Sequence, residues 1–157
     1  MKNIFYYQTP IGKIGIAEEN SQITNLYFES DKISSDEYIV KETEILKEAK
    51  DQLQEYLNGS RKVFSLPLNP FGTKFAKKVW NCLCDIPYGT TQSYKEIAEK
   101  IEHSKAYRAV GLANNRNPIP IFIPCHRVIG TNGNLTGYRG GLEAKAYLLQ
   151  LETYCIT

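Results

Sequence analysis

Short apolar runs separated by turn residues open the chain. Residues 3–9, 13–18 and 22–29 are rich in Ile, Phe and Tyr, and Thr9-Pro-Ile-Gly12 and Glu19-Asn-Ser21 supply turn chemistry between them. Connections this tight join antiparallel neighbours, so the pattern predicts a meander. Residues 30–40 are polar and predict a loop. The period then changes. Ile45, Ala49, Leu53 and Leu57 recur at four-residue spacing, which predicts a helix over 42–57 with Gly59 near its C-cap. Residues 61–66 read as one more strand. Pro67 and Pro70 then restrict their neighbours and stop regular structure. The boundary falls there, giving a sheet-and-helix domain over 1–69 and a second domain over 70–157.

The second domain reads as short helices. Thr73 caps a helix over 74–84 with Phe75, Val79 and Leu83 on one face, and Ile86-Pro-Tyr-Gly89 is a turn. Ser93 and Glu96, three residues apart, form a capping-box pair that opens a helix to about 101. A polar break over 102–105 leads into a helix from 106 to about 114 that carries Arg108. Helix, tight break and helix is the order of a helix-turn-helix. Pro118, Pro120 and Pro124 exclude a regular helix over 117–128, so that stretch is expected as a buried, extended, apolar strand or loop. Residues 130–141 are a glycine-rich loop. A final helix spans 142 to about 152, with Leu148, Leu149 and Leu151 available for the core.

Composition narrows the setting. At 42% hydrophobic and 23% charged, the chain predicts an ordinary globular protein with a real core. Its cysteines stand at 82, 84, 125 and 155, which is neither a disulfide framework nor zinc spacing. No metal is expected, and reduced thiols point to the cytoplasm. The N-terminus has no signal-peptide pattern, and no apolar run reaches membrane-spanning length. Cys82 and Cys84 lie about 200° apart around a helix, so they cannot share a site and are expected in the core; Cys155 is expected to be idle. Charge is uneven. Residues 1–69 hold eight Lys and Arg against eleven Asp and Glu, a balance of −3, while 70–157 hold eleven against six, a balance of +5. A basic second half suits a polyanion partner.

The chemistry centres on Cys125 and His126. A working cysteine reacts as thiolate and needs a nearby cation, base or helix N-terminus. Adjacency alone is not sufficient, because neighbouring side chains of an extended segment point to opposite faces. The run Asn117-Pro-Ile-Pro-Ile-Phe-Ile-Pro-Cys-His-Arg-Val128 resembles the active-site signature of the methylated-DNA–protein-cysteine methyltransferases, the O6-alkylguanine-DNA alkyltransferases. Phe75-Ala-Lys-Lys-Val-Trp80, Ile86-Pro-Tyr-Gly89, Ser93-Tyr94 and Arg108-Ala-Val-Gly111 precede it in the family's order. Tyr138-Arg-Gly-Gly-Leu142 and Leu148-Leu-Gln-Leu-Glu152 follow it. The resemblance covers about residues 70–152.

That resemblance implies an α+β protein: a small antiparallel-sheet, ribonuclease-H-like N-terminal domain, then a helical domain with a winged helix-turn-helix. It implies irreversible, single-turnover transfer of an alkyl group from O6-alkylguanine in double-stranded DNA to Cys125, with O4-alkylthymine as a second candidate substrate. His126 would act as base through a water, Glu152 would hold its tautomer, and Asn117 would brace the adjacent turn. Tyr94 would rotate the phosphate and assist the leaving guanine, and Arg108 would fill the vacated base stack. Ser93, Ala106, Gly111, Asn115 and Arg116 would meet DNA beside them. Val128, Tyr138, Arg139 and Gly140 would line the base pocket. Arg139 departs from family members with a small residue there, which puts pocket width in question. A monomer with no cofactor and no zinc is expected, since residues 1–69 contain neither Cys nor His.

Overall fold

The computed structural model describes residues 2–155, which form two compact units, one within 1–70 and one within 71–157. In the first, β1 (Lys2–Thr9), β2 (Gly12–Glu19) and β3 (Gln22–Tyr27) make the expected antiparallel meander. Both reversals carry left-handed backbone: Gly12 has φ 99°, and Asn20 and Ser21 have φ 54° and 62°. Residues 30–40 are not wholly a loop. After a 3₁₀ turn at Ser35–Glu37, β4 (Tyr38–Val40) pairs parallel with β1, so the sheet order is β3-β2-β1-β4. Three residues are too few for an alternating pattern to register. The helix α1 (Glu44–Leu57) buries Leu46, Ala49, Leu53, Tyr56 and Leu57 and leaves Ile45 at the rim. Ile4, Ile14, Ile16, Ile23 and Leu26 supply the sheet's side of that core.

The strand expected at 61–66 does not form. Side chains satisfy its backbone: Ser65 N donates to Gln52 Oε1 at 2.9 Å, and Arg61 Nη1 donates to Val63 O at 2.9 Å. Pairing resumes only at an isolated parallel bridge between Ile23 and Leu68.

The second unit holds α2 (Lys74–Cys84), β5 (Gln92–Ser93), α3 (Tyr94–Lys100), α4 (Tyr107–Asn115), β6 (Val128–Ile129) and α5 (Leu142–Tyr154). Thr73 Oγ1 accepts from Ala76 N at 3.1 Å and starts α2. Ser93 and Glu96 complete the capping box of α3 in both directions. Trp80 joins α2 to α4 through Nε1–H donated to Ala113 O at 2.9 Å. A Cβ on Gly72 would lie 2.4 Å from that indole, so only glycine lets the chain pass the ring. Cys82 is half-buried and Cys84 exposed, against the expectation of core packing; Val79, Trp80 and Leu83 take the buried face of the helix, and the two cysteines flank Leu83. Among the described residues no helix is long and apolar enough to cross a membrane.

Candidate active site

The segment before Cys125 is irregular yet buried, so its peptide groups need internal partners. Asn117 supplies them. Its Nδ2 donates to Ile123 O at 2.8 Å, and its Oδ1 accepts from Ile119 N at 2.9 Å. Ile123 N donates to Ile119 O, and Ile121 sits between them at φ 75°, a conformation unusual for a β-branched residue. The chain then closes into a 3₁₀ turn at Cys125–Arg127, with Arg127 N donating to Pro124 O at 3.1 Å. This turn replaces the extended geometry expected there. Cys125 is 4% exposed and His126 0%. Asn114, at the end of α4, donates Nδ2 to Cys125 O at 3.3 Å.

The helix α5 faces this turn with Lys145, Leu148 and Glu152, spaced to share one face. His126 Nε2 lies 2.7 Å from Glu152 Oε2. Arg127 grips the same carboxylate with two donors, Nε to Oε1 and Nη2 to Oε2, each at 2.9 Å, and gives Nη1 to Ile86 O at 2.8 Å. Gly89 N adds a bond to Glu152 Oε1 at 3.1 Å. Burial alone would raise the Glu152 pKa. The hydrogen bonds and charges of His126 and Arg127 overcome it and bring the value to about 2. Burial lowers the His126 pKa, opposed by the hydrogen bond and charge of Glu152. Burial likewise pushes the Cys125 thiol up, opposed by a side-chain hydrogen bond with Asn117 and by the charges of Arg139 and Lys145. The site thus places a buried thiol and a buried imidazole beside an anchored carboxylate.

Lys145 is fully buried and donates Nζ to Val128 O at 2.7 Å and to Thr136 O at 3.2 Å. It thus ties the strand after Cys125 to the glycine-rich loop. The Tyr94 and Thr136 hydroxyls are hydrogen-bonded to each other, and Cys125 is close enough to perturb the Tyr94 phenol. Tyr138 is buried, while Arg139 and Gly140 are half-exposed.

Asn117, Tyr94 and Arg139 lie close enough to Cys125 to interact with its thiol, and Glu152 reaches the site through His126. The helix-turn-helix residues separate from them. Arg108, Asn115 and Arg116 are exposed on or just after α4, and Ala106 is the half-buried N-cap. Gly111 lies beneath Tyr94, where a Cβ would be 3.7 Å from the ring. Ser93 is buried, with its hydroxyl committed to Glu96 N. Sequence reasoning missed Arg127, Lys145, Asn114 and Thr136. Arg127 had a signal: a charge inside an apolar run must find an opposite partner.

Residues 74–154 match the family model described as 6-O-methylguanine DNA methyltransferase, DNA binding domain, and residues 4–70 match its ribonuclease-like domain. A methylated-DNA–protein-cysteine methyltransferase of Methanosarcina acetivorans is 50% identical over 151 residues, covering 95% of this chain and 97% of that protein. The constitutive methyltransferase of that name from Bacillus subtilis is 52% identical, covering 92% of each. The crystal structure of Mycobacterium tuberculosis OGT in complex with DNA superposes with a TM-score of 0.92 at 42% identity, covering 98% of this chain and 94% of that one.

Proposed function

The chain belongs to the 6-O-methylguanine DNA methyltransferase family, and from that premise and the geometry of the site we propose that Cys125 is its alkyl acceptor. Its function is direct reversal of DNA alkylation by alkyl transfer from O6-alkylguanine to the protein. The observation that supports the assignment to Cys125 is a buried thiol one residue before a histidine whose far nitrogen is fixed by Glu152 at 2.7 Å.

In this reading His126 Nε2 is committed to Glu152, and Nδ1 takes the thiol proton through a water. The S–C bond forms as the C–O6 bond breaks, and the departing guanine regains a proton. Asn117 and the positive charges of Arg139 and Lys145 favour the thiolate against burial. At 4% exposure the thiol cannot reach a base inside a duplex, so the nucleotide is flipped out, at a cost of about a few kcal/mol. Tyr94 leaves Thr136 to assist the guanine, and Arg108 fills the gap in the stack. Backbone groups near Val128, Tyr138, Arg139 and Gly140 line the base pocket. The thioether product does not hydrolyse, so each molecule reacts once. The second domain, read from the sequence as residues 70–157, binds alkylated duplex DNA and carries the chemistry. The described cysteines are free thiols, which suits the reducing cytoplasm, and one chain supplies all the groups named, which suits a monomer.

Incubation with duplex DNA bearing labelled O6-methylguanine tests this. Label should plateau near one methyl per molecule, map to Cys125 and vanish in Cys125→Ala. Label persisting in that variant sinks the assignment; repeated turnover would indicate a hydrolase.

A further inference from the structure

Glu152 receives more than the orientation of a histidine requires. Besides His126 Nε2 it takes two donors from Arg127 and one from Gly89 N. A buried carboxylate with no other cation beside it raises the proton affinity of the histidine that it faces. The stronger that pull, the higher the pH up to which the histidine stays protonated and unable to act as a base. Arg127 changes the balance. Its planar guanidinium fork matches a carboxylate and brings a positive charge to it. The fork is held from behind by Nη1 on Ile86 O and by the Tyr88 ring, 5.6 Å from Cζ. The carboxylate's charge is therefore already matched. A proton added to His126 would place another cation beside Arg127 and Lys145 with no further anion to receive it.

We propose that Arg127 is a positioning residue of the alkyl transfer: it neutralises Glu152, so that the carboxylate fixes the His126 ring without holding a proton on it. The imidazole is then ready to take the proton from Cys125. This deepens, and rests on, the reading of His126 as the base for Cys125. Lys145 and Glu152 face the histidine from α5, and Cys125 and Arg127 from its own turn. Tyr88 from the preceding turn and Cys84 from the end of α2 face the guanidinium. Among these only Glu152 is an acid deprotonated at neutral pH, so the Arg127–Glu152 pair sets the electrostatic balance. Removing the guanidinium leaves the Glu152–His126 pair holding a proton up to a higher pH, whichever partner carries it.

The test is the pH–rate profile of single-turnover methyl transfer from duplex O6-methylguanine, for the wild type, Arg127→Met and Arg127→Lys. The acid limb should move to higher pH by about one unit, a tenfold change in proton affinity, in Arg127→Met. It should stay close to the wild type in Arg127→Lys, which keeps the charge. An unmoved limb in a folded Arg127→Met protein, checked by thermal melting, overturns the proposal. Should that variant not fold, Arg127→Gln keeps one donor for Glu152 and is read the same way. The ring-nitrogen NMR shifts of His126 in the wild type need no variant. They should report a neutral imidazole at neutral pH, and an imidazolium there overturns the proposal. Mapping the label separates the two readings. Label away from Cys125 defeats the acceptor assignment, whereas label on Cys125 with an unmoved limb defeats only the role of Arg127.

Discussion

Buried charged residues set the energetics of the site. Glu152 has its carboxyl pKa depressed from 4.5 to about 2 in the folded protein. A depressed folded value means that the carboxylate stabilises the fold fully above its unfolded pKa. That contribution is lost as the pH falls through 4.5 toward 2. Glu152→Gln should therefore lower stability at neutral pH and flatten its fall across that acid window, as read from thermal melts at successive pH values. A wild-type dependence retained in the variant would place the acid sensitivity elsewhere. Lys145 is the second case. Its ammonium satisfies Val128 O and Thr136 O, and Lys145→Met keeps the stem but strips both carbonyls of their donor. The expected cost is about 1–3 kcal/mol in urea unfolding, together with slower alkyl transfer as the loop at Thr136 loosens.

At the scale of elements, α3 depends on its start. Ser93 Oγ accepts from Glu96 N, and Glu96 Oε1 accepts from Ser93 N, both at 3.1 Å. Ser93→Ala should cost about 1 kcal/mol, followed through the fluorescence of Trp80, the sole tryptophan, whose indole joins α2 to α4. Elements with strong local signals were legible beforehand. The meander, α1, the capped α2 and α3, and α4 all appear within a residue or two of the expected ends, because turns, caps and period each left a mark. What was illegible lacked such a mark. β4 is three residues long and defined by its parallel partner. Residues 61–66 look β-prone, but the side chains of Gln52 and Arg61 take their backbone bonds. The site divides in the same way. Cys125, His126 and Glu152 were readable from a specific motif. The helix α5 showed no clean apolar stripe because its buried face carries Lys145 and Glu152 beside Leu148, which hid the lysine. The 3₁₀ turn that lets His126 and Arg127 share one carboxylate is a tertiary outcome that three prolines upstream do not spell out.

For the whole molecule, the charge split matters more than the net charge of +2. Residues 70–157 carry the excess of Lys and Arg, with Arg108 and Arg116 exposed at α4. Affinity for duplex DNA should fall linearly with salt on logarithmic axes and vary little with sequence, as filter or anisotropy titrations would measure. Arg108→Ala should slow repair within a duplex more than transfer from free O6-methylguanine base. Equal losses on both would remove Arg108 from the flipping step. The position of α5 in the chain has a consequence for synthesis. Translation runs from the N-terminus, so the ribosome makes Cys125 before Lys145 and Glu152. A nascent chain that has reached the thiol has neither the carboxylate that fixes His126 nor the lysine that ties down the loop. In the reading proposed above, Cys125 therefore gains its base and the fixed wall of its pocket only when α5 has emerged and docked.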